Sequence, residues 1–515
     1  MRDILTPFVL NYNNQRKALM VFILGYFGLY FLNLHTLPLG WLDEAGYIDP
    51  AVNLLQKGKY ASFNWRHEGA NEFFLAHLPM ISVVHLINLS ILPIDIYTAR
   101  LPFAILFMVA MYWFWKVHKD IYKTGFLTAF LVLMLYMLDR GVYEIMRSMR
   151  MESIEIALLG PIIYLFYKKK NLLLAAFLCA LLFLTHPAVW AISGLIMAYI
   201  FFNLQGWGKR LLSAIIFIAP TVIYIALTDF NFDGFYNQLI MHGSEHTADE
   251  VPGNLIYNHF IGRFMEFHLG GDNFRWYYTT QPYVIVFNLL TFLYCGFMTY
   301  KAVKQKDFNN YFLPVIFLVN QLYWLAVVGP FYRYNVPSLY MMYLMLPAIL
   351  MWYSNKLKLY TFTVSIKARI LIFLVALPFI AYPFVGRNAI ALLQRPARTP
   401  YPVFNWLDKE MYTPDKKILI VDTDVLNYYA YKYDNVYYSI KHWTCNNYCF
   451  ADFDEVYMVT KDLEPPNAKL ISTYEVKYPQ WYEKFIPKKG QQTYDGLKLY
   501  RIFDEASMQI GCYKE

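Results

Sequence analysis

Residues 18–38 read ALMVFILGYFGLYFLNLHTLP, and residues 41–60, WLDEAGYIDPAVNLLQKGKY, follow almost at once. The first stretch carries no charge and has the length of about 20 apolar residues that a helix needs to cross about 30 Å of hydrocarbon. It begins after Arg16 and Lys17, lacks a small-residue cleavage site and runs on to Leu37, so it reads as an uncleaved spanning helix. The second stretch places Asp43 and Glu44 where that helix emerges. Ala45, Ala51, Leu54 and Leu55 then fall at the spacing of an amphipathic helix lying along a membrane surface.

The rest of the chain repeats the pattern. Of its 515 residues 58% are hydrophobic and 16% charged, which excludes an ordinary soluble protein. Further apolar runs lie at 97–117, 122–139, 152–168, 171–186, 188–204, 211–228, 283–300, 311–329, 337–354 and 368–386, with one more stretch at 73–93. The formal charge of +8 would suggest nucleic acid in a soluble chain. Here most basic residues occupy short loops between apolar runs, so they set topology and no nucleic-acid partner is expected.

Charge also decides whether 73–93 crosses. If it does not, and the N-terminus is cytoplasmic, the inside loops carry Lys116, Lys119 and Lys123; Lys168, Lys169 and Lys170; Lys209 and Arg210; Lys301, Lys304 and Lys306; and Lys356, Lys358, Lys367 and Arg369. If it crosses, every one of these loops flips outward against the positive-inside rule. The stretch follows Glu72 and contains His77, Pro79 and His85, and it reads as a helix at the outer interface or tucked into the protein. The expectation is therefore an α-helical polytopic membrane protein with about eleven spans. Long external loops fall at 40–96 and 229–282, short external turns at 139–151 and 330–336, and the C-terminus is external.

The last part of the chain changes character. KKILIVDTD, NVYYSI and DEVYMVT read as short β-branched and aromatic strands. The expected division is a transmembrane catalytic module over 1–390 and a small external α/β domain over 391–515, joined around RPARTPYP. Cys179 and Cys295 fall in apolar runs. Cys445, Cys449 and Cys512 are C-terminal, and neither their number nor their spacing makes a metal site. Cys445 and Cys449 are candidates for pairing in an oxidising compartment.

Several clusters could carry chemistry. A paired carboxylate at Asp43 and Glu44 could deprotonate an acceptor or hold a cation near a phosphate; the plainer alternative is a helix N-cap with a first-turn acid. DRGVYEIMRSMRMESIEIALL crowds Arg140, Glu144, Arg147, Arg150 and Glu152 before an apolar run. Charges at that depth are costly unless paired or functional, and arginine's planar fork suits phosphate. The alternative is an ion pair such as Arg147 with Glu144 that closes the turn. GPFYRYNVP sets Arg333 between Tyr332 and Tyr334, Arg100 opens the run at 97–117, and His186 precedes Pro187 at an outer helix end. HGSEH spaces His242 and His246 four apart, but Gly243 and Ser244 weaken a helix there and no HExxH pattern occurs, so no metal site is expected.

In their order and topology, DEAGY after the first span, ARLP opening the second, the acid after the third and RYNVP after a late span resemble the polyprenyl-phosphate-dependent glycosyltransferases of the GT-C fold. The likeness covers about residues 15–350 and is nearest to the bacterial relatives of the protein O-mannosyltransferases and to the lipid A aminoarabinose transferase. It implies inverting transfer of one sugar from a polyprenyl-phosphate carrier, the co-substrate, to a protein, lipid or glycan acceptor outside the cell membrane. It implies Asp43 as the acid that activates the acceptor, Glu44 beside it and Glu152 as a second acid. Arg333, with Arg100, Arg147 or Arg150, would hold the carrier phosphate, with Tyr332 and His186 nearby. A divalent cation is compatible with Asp43, but the resemblance implies no universal metal. The other function classes to weigh are a polytopic transporter, which needs ionisable groups near the midplane of its spans, and a non-enzymatic envelope assembly protein, which needs no acid at the membrane mouth.

Overall fold

The structure is a computed structural model, and it describes residues 12–36, 42–62, 73–75, 77–241, 283–323, 336–356, 384–422, 426–440, 452–461, 464, 465, 467–476 and 493–503. The expectations for Tyr332, Arg333, His242, His246, Cys445, Cys449 and Cys512, and most of the run at 368–386, lie outside these residues.

The membrane part is helical. The helices are α1 (Tyr12–Leu32), α2 (Leu42–Lys57), α3 (Met80–Leu89), α4 (Ile96–Asp120), α5 (Phe126–Met137), α6 (Arg140–Arg147), α7 (Met151–Lys168), α8 (Leu172–Phe183), α9 (Trp190–Asn203), α10 (Trp207–Leu227), α11 (Tyr283–Gln305), α12 (Phe312–Tyr323), α13 (Val336–Lys356) and α14 (Phe384–Leu393). By length and composition α4, α10, α11 and α13 can each cross a membrane, and α5 with α6 makes a fifth candidate bent by 63°. The chain is a multi-pass membrane protein. Pro102, Pro161, Pro220 and Pro347 lie inside helices, where each removes one backbone hydrogen bond that neighbouring helices and local adjustment of the turn can replace.

The 73–93 stretch forms only the ten-residue α3, about 15 Å long or half the hydrocarbon thickness. The 139–151 turn is corrected: it is largely the helix α6, because Asp139 caps it. The Asp139 carboxylate accepts from the Val142 amide at 3.1 Å and from the Tyr343 hydroxyl at 2.9 Å, which starts a new helix at an angle to α5.

Close packing organises the bundle. At Gly160, on α7, an added Cβ would stand 2.7 Å from Trp113 Cβ on α4 and 2.6 Å from the Tyr340 hydroxyl on α13. A glycine there lets three helices approach. A large apolar cluster joins α1 and α4 to α9 with α11 to α13, and tyrosines fill much of it.

After α14 and the turn Arg395–Arg398 come α15 (Tyr401–Glu410) and five strands: β1 (Ile418–Asp422), β2 (Val436–Ile440), β3 (Glu455–Thr460), β4 (Ala468–Tyr474) and β5 (Leu497–Ile502). Their order is β2-β1-β3-β5-β4. β1 runs parallel to β2 and β3, with Ile418 opposite Val436 and Glu455, whereas β5 runs antiparallel to β3 and β4. Central β3 is buried along its length, as a near-continuous apolar strand should be. A second apolar cluster contains Ala45, Ile48 and Val52 of α2, Phe103 of α4, and Val403, Ile418 and Leu497 of the α/β unit. The sheet is thus seated on α2 through a shared core.

Candidate active site

The site is organised where α1, α2, α4 and the link between α6 and α7 meet. Asp95 caps α4: its carboxylate accepts from the Tyr97 and Thr98 amides at 2.7 and 3.0 Å, and the Asp95 amide donates to the Thr98 hydroxyl oxygen at 3.2 Å. This fixes the first turns of α4 and with them Arg100. Arg100 is fully buried and bonds Glu44 with both arms of its fork, Nε to Oε1 at 3.1 Å and Nη2 to Oε2 at 2.6 Å. Its Nη1 donates to the Leu34 carbonyl at 2.8 Å, and the Met149 amide donates to Glu44 Oε1 at 2.9 Å. One ion pair therefore ties the exit of α1, the head of α2, the start of α4 and the entry to α7. Asp43 is the residue before Glu44 on α2, and its side chain lies outside the described residues.

Two further arginines stand on the α6–α7 link. Arg150, the N-cap of α7, grips Glu152 through Nε at 3.0 Å to Oε2 and Nη2 at 3.1 Å to Oε1, and both groups are buried. Its guanidinium also faces the Tyr47 ring of α2, 5.9 Å from the centroid. Arg147 lies against the rings of Tyr30 and Tyr143, at 4.7 and 5.1 Å, and donates to the Tyr143 hydroxyl at 3.0 Å. Asn388 bonds the same hydroxyl at 2.6 Å and receives Asn33 at 2.9 Å, linking α14 and α1 to the site. The plainer alternative for this cluster, an Arg147–Glu144 pair, is replaced by another pairing: Glu144 takes Arg140 at 3.1 Å, one turn away on α6, together with Arg387 of α14, while Arg147 lies against the aromatic pair.

His186 caps the turn Pro187–Val189, its Nδ1 accepting from the Ala188 amide at 3.2 Å. That bond places the ring proton on Nε2 in the neutral imidazole. The same Nδ1 is 3.8 Å from Glu155 Oε1, and Glu155 is buried, with no hydrogen bond to either oxygen among the described residues. Leu184 and Trp190, which flank His186 in the chain, line an apolar groove of about 350 Å³ with Phe183, Tyr224 and Phe235. Among the described residues no group of three His, Cys, Asp or Glu side chains could hold a metal.

The structure thus brings Glu44, Arg100, Arg147, Arg150 and Glu152 to one junction. Sequence reasoning missed Glu155, whose spacing of three from Glu152 puts both acids on one helix face. It also missed Tyr30, Tyr47, Tyr143 and Asn388, which carried no signal beyond being aromatic or polar near helix ends.

This architecture is similar to that of ArnT from Cupriavidus metallidurans in the apo state, with 12% identity, 96% of this chain and 99% of that chain covered, and a TM-score of 0.52. The chain has the GT-C fold. The same bacterial protein bound to undecaprenyl phosphate gives 12% identity, 94% and 97% coverage and a TM-score of 0.52. The Archaeoglobus fulgidus oligosaccharyltransferase is a weaker likeness, with 12% identity, 83% of this chain and 64% of that chain covered, and a TM-score of 0.40. No family model and no curated protein matches the chain.

Proposed function

We propose that this protein is an inverting glycosyltransferase that moves one sugar from a polyprenyl-phosphate carrier to an acceptor on the extracytoplasmic side of the cell membrane. The observation that carries this reading is a GT-C fold matched over nearly the whole of both chains, together with buried arginines and acids at the mouth where an isoprenoid phosphate would sit. The outward direction rests on the basic loops, which fall on the opposite face.

In this reading Asp43 accepts the proton as the acceptor oxygen or nitrogen attacks the anomeric carbon. The new bond forms on the face opposite the carrier, the carbon–oxygen bond to phosphate breaks, and its electron pair leaves on the phosphate oxygen. Arg333, Arg147 and Arg150 stabilise the charge that develops there. Glu44 and Arg100 do not touch substrate: their mutual bonds, with Leu34 and Met149, hold Asp43 in place. Glu152 keeps Arg150 oriented through its two-point contact. The isoprenoid tail lies in the apolar groove beside His186, which offers it no charged lining.

Incubating the purified protein with isoprenoid-phosphate sugars and cell-envelope fractions, with mass spectrometry of the products, tests the proposal. An envelope component should gain one sugar while free polyprenyl phosphate appears. Transfer of an oligosaccharide block, or no transfer from any such donor, would overturn it.

A further inference from the structure

A second cavity, of about 310 Å³, opens away from this junction, between the far half of α2 and the β2 edge of the sheet. Such a volume is at the lower end of those that hold small ligands. Its floor is built from paired polar groups. Asp49, buried, accepts from the Tyr431 hydroxyl at 3.0 Å and from the Ser62 hydroxyl at 3.0 Å, and Gln56 donates to the Tyr431 carbonyl at 3.2 Å. Lys57 and Asp434 stand at the rim, and the Lys57 ammonium lies 5.4 Å from the centroid of the Tyr437 ring. Partial burial lowers the Lys57 pKa, while Asp49 and Asp434 act against that shift, so the three charges sense one another.

The lining selects its ligand by chemistry. Asp49 and Asp434 offset the ammonium of Lys57 and that of Lys417, 5.1 Å from the centroid of the same Tyr437 ring, so no surplus of positive charge favours a phosphate, and the charges disfavour a lipid chain. Tyrosine rings beside amide and carboxylate groups suit a ring with one apolar C–H face and a rim of hydroxyls. We propose that this cavity binds a saccharide unit, and that the unit belongs to the acceptor, which is therefore a glycan. The acceptor assignment rests on the glycosyltransferase reading; the saccharide site does not. α2 carries both ends of the arrangement: Gln56 lies 13 residues beyond Asp43, about 20 Å along the helix. Contacts that far from the reacting centre hold the acceptor equally in the ground state and the transition state, so they set its KM and leave kcat alone.

The test uses the full chain in lipid nanodiscs and saturation-transfer NMR with disaccharides of glucose, galactose, mannose and N-acetylglucosamine, without donor. At least one should show transfer to its ring C–H protons. The variant Gln56→Ala/Asp434→Ala, altered at two exposed positions, should bind it at least tenfold more weakly with an unchanged melting temperature. Absence of transfer to all four, or equal binding by the variant, would overturn the saccharide site. Sugar binding by a protein that shows no glycosyl transfer would instead overturn the enzyme reading and leave the site standing. If both bind and transfer occur, a glycan acceptor requires that the double variant raise the acceptor KM with kcat nearly unchanged. An unaltered KM would refute that assignment.

Discussion

Replacing Glu44 by Gln preserves shape but removes the charge opposite a guanidinium with no exposed surface. The amide can still accept from Arg100 Nε or the Met149 amide, but its NH₂ meets Arg100 Nη2, donor against donor, where a 2.6 Å charge-assisted bond stood. Breaking a buried pair by removing one partner costs about 3–5 kcal/mol, because the remaining charge is left uncompensated. Arg100→Met should cost a similar amount, since it strips Glu44 of both fork contacts and Leu34 of its donor. The double variant Glu44→Gln/Arg100→Met leaves no charge behind and should cost several kcal/mol less than the sum of the two single changes. Reversible denaturant titration in detergent micelles, run as a double-mutant cycle, measures the coupling. Additive losses, or single variants as stable as wild type, would refute the claim that this pair holds the junction together.

Three other outcomes are expected. His85 is buried on α3 with neither ring nitrogen hydrogen-bonded among the described residues, and burial lowers its pKa from 6.5 to about 3. Between those values the unfolded chain binds a proton that the folded chain refuses, so stability should fall as pH drops below 6.5, by about 1.4 kcal/mol at about pH 5.5. His85→Leu should remove that component, and melting curves at several pH values check it. Gly160→Ala should cost about 1–3 kcal/mol, because Trp113 Cβ cannot move without its helix, and the same melting assay would show it. Arg333→Lys keeps the charge but loses the bidentate fork, so the KM for the lipid-linked donor should rise about tenfold. Wild-type kinetics would remove Arg333 from the site.

Much of the helical part was legible because apolar run length is a direct consequence of bilayer thickness. Polar pairings were not. Arg100 and Glu44 are 56 residues apart, and nothing local to either names the other. The bend at Asp139 was hidden because an aspartate two residues before a glycine reads equally as a turn or as a cap, and the Tyr343 hydroxyl that also binds it comes from the distant α13. The partner of Glu144 could not be chosen from the sequence, since both Arg140 and Arg147 lie about a turn from it and its further partner, Arg387, comes from α14. The strands of the C-terminal unit could be read from their β-branched pattern. Their seat on α2 could not, because it depends on apolar residues that look like ordinary core at both ends.

Asp43 carries the proposed chemistry, and sugar transfer by well-folded Asp43→Asn and Glu44→Gln proteins, measured side by side, tests that role most directly. Asp43→Asn keeps shape and hydrogen-bonding capacity while removing basicity, so turnover should fall by about 10² or more with stability unchanged. Glu44→Gln should lose stability first, and transfer in proportion to the folded fraction. Near-normal transfer by the Asp43 variant would contradict the mechanism.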